Sequence, residues 1–310
     1  PTMSTAELTR MLENWNPSLR VAAAKELGTR GDTVIPQLRK ATHSENWTIR
    51  AGATSALAAI SRHQLANWKD FFPGTDDARA GEEKVKEKHA ALADDFIRLT
   101  KDPRLEVRVS ALSGLGALNP RTTEATMAVL DLCAEEDAYL AQDAMITLEK
   151  KFGIEAVQER TVIAALREAM NAPLPRGKGH VLRIIMRMDE EARRQFIPEL
   201  LRHLDWQPNR DTMFGAGGQA EALQILTDLQ VEELIPRLPG LMSKTMRGPG
   251  LFEPCLESAR AFGKDAKVIL PELRAQIPGV EQEIAKARSK DAAKRKLTRL
   301  KETVAYLESL

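Results

Sequence analysis

The stretch NPSLRVAAAKELG, residues 16–28, decides the fold. An aliphatic residue is followed by arginine, then by small residues at helical spacing, then by leucine. The same order returns in TIRAGATSAL at 48–57 and in DPRLEVRVSALSGLG at 102–116, which puts arginines at 20, 50 and 108. Glu13-Asn14-Trp15 returns as Glu45-Asn46-Trp47, thirty-two residues on. A second signature recurs between these: VIPQL at 34–38, FIPEL at 196–200, LIPRL at 234–238 and ILPEL at 269–273. Proline suits the first turn of a helix, where its missing N–H is unpaired in any case. Pro36, Pro198, Pro236 and Pro271 are therefore expected to open the second helix of each unit. One hairpin cannot bury both faces, so the units are expected to stack.

This pattern resembles the bacterial short form of the HEAT repeat. Asn16-Pro17, Leu19-Arg20, Ala23-Ala24 and Leu27-Gly28 match its consensus. Asp102-Pro103, Val107-Arg108, Ala111-Leu112 and Leu115-Gly116 match with one residue inserted. Beyond about residue 135 the helical period continues through Asp137, Leu140, Ala144 and Leu148, but the arginine is lost. The resemblance implies an all-α fold, an α-solenoid of about seven HEAT-like hairpins with a C-terminal capping helix. The expected layout is a single repeat domain over 1–310 with a leading helix over 5–13. Its hairpins run about 14–42, 45–101, 102–134, 135–171, 176–205, 216–243 and 251–277, and the cap runs 280–309. An insertion at 63–88 interrupts the second hairpin. Arg20, Arg50 and Arg108 should form a ladder that binds loops and neighbouring acids. Trp15 and Trp47 should pack at hairpin junctions.

Composition agrees with helices packed on helices: aromatic residues make up only 5%, while alanine and leucine abound. A formal net charge of +1 argues against a nucleic-acid binder, whose affinity rests on phosphate contacts. No apolar run approaches the roughly 20 residues of a membrane span, so a soluble chain is expected. Two cysteines, Cys133 and Cys255, are too few for a disulfide framework and say nothing of the compartment. No signal peptide opens the chain. The start at Pro1 suggests a processed chain or a piece of a longer one.

No catalytic, cofactor-binding or metal-binding motif stands out. None of His43, His63, His89, His180 and His203 precedes a glutamate or has a second histidine at zinc-ligand spacing. The HEAT-repeat enzyme deoxyhypusine hydroxylase uses His-Glu pairs as iron ligands, and these are absent here. No Gly-x-Ser-x-Gly elbow is present. Three surface features remain as partner-binding candidates. The insertion carries Trp68, Phe71 and Phe72 within five residues, either sealing the hairpin or anchoring a partner. A Gly-x-Gly series recurs at Gly177/Gly179, Gly215/Gly217 and Gly248/Gly250, beside Arg176, Lys178, His180, Arg210, Phe214, Arg247 and Phe252. Its glycines are either turns or a strip of helix N-termini able to hold a small anion; the turn is the preferred reading. The basic run Lys286 to Lys301 reads as the solvated outside of the cap.

The function expected from the fold is a non-catalytic scaffold binding a protein or peptide. Its second helices should offer a polar surface of mixed charge through Gln37, Arg39, Lys40, Glu199, Arg202, Arg237, Glu272 and Arg274. Two alternatives stand beside it. One is a HEAT-like alkylpurine DNA glycosylase or other nucleic-acid-binding protein. The other is the appendage of a larger secreted or periplasmic bacterial enzyme.

Overall fold

The structure, a computed structural model, describes residues 3–71, 84, 87, 89–152, 154, 159–172, 177–205, 218–242, 250–286 and 291–310. Among them no strand occurs, and the helices form two compact units, Pro1–Ala165 and Leu166–Leu310. Each is an all-α stack of helical hairpins, the α-solenoid class.

In the first unit α1 (Thr5–Met11) leads. First and second helices then alternate: α2 (Pro17–Thr29) with α3 (Ile35–Ala41), α4 (Trp47–Phe71) with α5 (Ala90–Leu99), α6 (Leu105–Leu118) with α7 (Thr123–Leu132), and α8 (Ala138–Lys151) with α9 (Glu159–Asn171). The unit boundary falls inside α9. The first helices pack side by side, α2 on α4, α4 on α6 and α6 on α8, while α5 packs against α6 and α7. Short polar side chains start most of them. Asn16 accepts from the Ser18 N–H, Asn46 from Thr48, Thr122 from Ala125, and Asp137 from Tyr139 and Leu140. Each satisfies a backbone donor that has no partner inside its helix.

The arginine ladder is present and its geometry repeats. Arg20 Nη1 donates to the carbonyls of Asn14 and Trp15, at 2.8 and 3.1 Å. Arg50 Nη1 donates to those of Ser44 and Glu45, both at 2.9 Å. Arg108 Nη1 donates to the Asp102 carbonyl. Each arginine also reaches the next repeat. Arg50 bonds both carboxylate oxygens of Asp102, at 2.7 and 3.1 Å, and Arg108 bonds Glu135 at 3.0 Å. Arg20 meets no acid there and instead stacks on Trp47, 5.6 Å from the ring centre, with Arg104 also over that ring at 5.4 Å. Burial pushes the Asp102 carboxyl up. The Arg50 bonds, the Arg104 N–H and the charges of Arg50 and Arg108 outweigh it, so the group ends below its ordinary pKa. Its hydrogen bond to Asp102 holds Arg50 above the usual value.

The ladder corrects the alignment of the tryptophans. Trp15 occupies the place of Glu45, since both carbonyls accept from the repeat arginine. Trp47 stands two residues later in the repeat and begins its helix. The recurrence of Glu-Asn-Trp is out of register by two residues. Trp47 is consequently packed between cations, whereas Trp15 is 86% exposed rather than packed at a junction.

Two other expectations shift. The helical backbone of α4 continues through residues 63–71, the expected start of the insertion. Residues 63–71 contain neither glycine nor proline to interrupt the helix. Pro236 lies within a 3-10 turn, Glu232–Arg237, and Pro239 instead takes the second position of the following helix.

The second unit contains α10 (Lys178–Ile185), α11 (Glu190–Arg194), α12 (Ile197–Asp205), α13 (Gln219–Asp228), α14 (Leu238–Met242), α15 (Phe252–Phe262), α16 (Leu270–Lys286) and α17 (Asp291–Ser309). α13 packs on α10, α12 and α15, and α17 closes the unit against α15 and α16. Among the described residues no helix is long and apolar enough to cross a membrane.

Candidate functional site

The second helices show where the protein surface is satisfied and where it is not. In the first unit Arg39 of α3 bonds the buried Asp95 of α5 at 2.5 Å, and Arg98 donates to Thr42. In the second unit Arg167 pairs with Glu199, Arg202 with Asn171, Arg237 with Asp205, and Arg274 with Glu308. Gln37 donates to Thr9. Most of the expected polar surface is thus spent on ties between successive hairpins.

One place differs. A cleft of about 810 Å³ opens between α5 and the turn that joins α6 to α7. Its volume lies within the 300–1,000 Å³ range typical of ligand sites. Ala90, Ala91 and Ala93 form one wall; none has a side chain beyond Cβ, which leaves the space. Ile97, Leu118 and Pro120 add apolar surface. Asp94, Arg121 and Glu124 stand exposed around it, and none makes an ion pair or side-chain hydrogen bond among the described residues. Asn119 makes the corner of the turn at φ 48°, ψ 53°, its N–H bonded to the Leu115 carbonyl at 2.7 Å. Asparagine is among the few residues that accept this left-handed conformation. Its side-chain Oδ1 is buried with no donor among the described residues.

α5 is held in place from beneath. Phe96 is fully buried, and Gly114 of α6 lies under its ring. A Cβ at 114 would meet Phe96 carbons at 2.4–2.6 Å, so glycine sets how closely α5 approaches α6 and hence the floor of the cleft. His89, immediately before α5, is buried and bonds Asp32 at 3.0 Å.

The glycine series is arranged differently. Gly177 and Gly218 precede α10 and α13 at φ 81° and 110°. A Cβ on Gly218 would lie 2.4 Å from Leu182 Cδ1 and 3.1 Å from the Gly179 Cα. The two helix starts therefore touch backbone to backbone. Lys178 turns inward and donates to the Met170 carbonyl at 2.8 Å; burial, with the charge of Arg202, lowers its pKa. His180 Nδ1 lies 2.8 Å from Arg183, which bonds Glu221 at 2.9 Å and so links α10 to α13. Phe252 is buried beneath Lys296, whose Nζ is 5.4 Å from the ring centre. Gly250 is exposed, and among the described residues nothing lies within 4 Å of where its Cβ would be. Arg176, Arg210, Phe214, Gly215, Gly217, Arg247 and Gly248 lie outside the described residues, as does Phe72. Trp68 and Phe71 belong to the helical backbone of α4, and their side chains lie outside the description.

Within the basic run, Lys296 pairs with Glu283, Lys301 with Glu281, and Arg299 with Glu253 and Glu257. Both thiols are buried; burial pushes Cys133 far above the ordinary range and Cys255 up to about 12, so neither is a thiolate near neutral pH. Among the described residues no three His, Cys, Asp or Glu side chains are grouped to hold a metal ion.

Residues 5–67 match the family model described as HEAT repeats. Among curated proteins no relative matches the chain. Among solved structures, the chain is similar to the complex of CpcE and CpcF of phycocyanin lyase from Nostoc sp. PCC7120, with 13% identity, 97% of this chain and 96% of that chain covered, and a TM-score of 0.37. It is similar also to the archaeal HEAT-like repeats protein from Thermococcus onnurineus NA1, with 15% identity, 99% of both chains covered and a TM-score of 0.32. A designed armadillo repeat protein shows 14% identity over 85% of this chain and 100% of its own, with a TM-score of 0.31.

Proposed function

We propose that this chain is a non-catalytic repeat scaffold that captures a protein partner on the second-helix face of its first unit. One observation carries the reading. Several charges of the second helices are tied into neighbouring hairpins, at Arg39–Asp95 and along the second unit, whereas those around the α5–α7 cleft have no partner among the described residues and flank a recess. Unpaired charges beside an apolar recess describe a surface arranged for another molecule, with an apolar centre and a polar rim. The two cysteines, buried and protonated, supply no nucleophile. Lys296, Arg299 and Lys301 of the cap's basic run are held in ion pairs, which makes these three less available to phosphate.

The test is site-specific photo-crosslinking in the native source. A benzophenone residue at Ala91, on the cleft wall, should give a discrete protein adduct. The same residue at Ala22, on the exposed face of α2, should not. Absence of any protein adduct from Ala91 overturns the reading.

A further inference from the structure

We propose that the α5–α7 cleft takes a single basic side chain of the partner, presented on a peptide segment between apolar neighbours. The inference rests on the scaffold reading and names the chemistry of its site. Two unpaired carboxylates, Asp94 and Glu124, stand against one unpaired guanidinium, Arg121. Two negative charges against one positive leave the cleft one negative charge in excess, which one cation balances. The alanine wall and Ile97 accept the methylene stem of a lysine or arginine, whose head stays at the wet rim. There the carboxylates receive it in charge-assisted hydrogen bonds. Arg121 has the opposite role. It repels a second cation, so the cleft selects one basic residue in an apolar context and rejects a polybasic run.

The observations favour a peptide over a free small cation. The apolar surface of the cleft is spread over Ile97, Leu118 and Pro120 as well as the alanine wall, so apolar residues flanking the basic one on a peptide have surface to cover. A polyamine would engage the carboxylates but leave the surface of Ile97, Leu118 and Pro120 largely uncovered.

A phage-displayed random peptide library, selected on the full chain, tests the proposal. Enriched clones are expected to carry one lysine or arginine flanked by apolar residues. Amidated synthetic copies, measured by fluorescence anisotropy, should bind about tenfold or more weakly to the D94N/E124Q variant. Replacing the basic residue of the peptide by norleucine should lose a similar factor, and the two losses should not add. An unchanged circular dichroism spectrum and melting curve verify that the variant is folded. Clones without basic enrichment overturn the proposal, as do clones that bind D94N/E124Q like the parent chain, or a library that yields no binder. The Ala91 crosslink is read separately, so a partner captured there with no dependence on Asp94 and Glu124 sinks the basic-residue assignment and leaves the scaffold standing.

Discussion

The start of α13 and the wall of α5 both depend on side chains that are missing, with opposite results. At Gly218 the absence of a Cβ lets two backbones touch, and the space is filled by Gly179 and Leu182. At Ala90, Ala91 and Ala93 the small side chains face a turn that stands away from them, and the space remains open. Charges follow the same division. Around the glycines, Lys178, His180 and Arg183 are engaged within the protein, whereas Asp94, Arg121 and Glu124 at the alanines have no partner among the described residues. A short residue thus signals contact or vacancy according to what lies opposite, which only the fold decides.

The comparison breaks most visibly at Gly218. Gly218→Ala must hold alanine at φ 110° and push aside Leu182 and the Gly179 backbone. We expect it to destabilise the second unit by about 2–4 kcal/mol in urea unfolding. Asp102→Asn comes next. The acid is nearly buried and anchors Arg50, so its loss should destabilise the first unit by about 2–3 kcal/mol at neutral pH. The effect should depend on pH. Because the folded pKa of Asp102 is depressed, its stabilisation is complete above about pH 4 and is lost as pH falls through the folded value. The variant should therefore show a flatter acid limb than the parent chain in melting temperatures taken from about pH 6 down to about pH 2.

Gly114→Ala tests the cleft from below. The added Cβ would meet the fully buried Phe96 ring, so the ring or α5 must shift; we expect about 1–3 kcal/mol of destabilisation and weaker binding of any cleft ligand. Asp94→Asn and Glu124→Gln remove no internal contact and should leave stability within about 0.5 kcal/mol by the same unfolding assay. The smallest effect is expected at Gly250→Ala. Among the described residues nothing lies within 4 Å of the added Cβ, so the melting curve should match the parent within about 0.5 kcal/mol. A large loss at Gly250 would erase the contrast with Gly218.

Much of the first unit was legible because its repeat is written in side chains that act locally. Arg20, Arg50 and Arg108 bind carbonyls five or six residues upstream, so sequence spacing and bond geometry coincide. Pro36 and Pro271 likewise stand where a first helical turn prefers proline. The tryptophans were misplaced because identical letters, Glu-Asn-Trp, outweighed register. Counting back from each arginine puts Trp15 and Trp47 at different positions and would have revealed the shift. The cleft left a fainter trace: the run Ala90-Ala91-Leu92-Ala93-Asp94 and the turn Asn119-Pro120 are visible, but nothing in the sequence sets them opposite each other. That Asp94 is unpaired while Asp95 holds Arg39 is a matter of which helix face each occupies.

The arginine ladder also has a direction. Each guanidinium ties its own loop to the next hairpin, and the last tie runs from Arg108 to Glu135, because the corresponding place in α8 is Ala141. Within the first unit the ladder is therefore a zipper whose last latch is at Glu135. Amide hydrogens should exchange with solvent soonest in α8, later in α6 and last in α4, so that the order of unfastening is set by a single missing arginine.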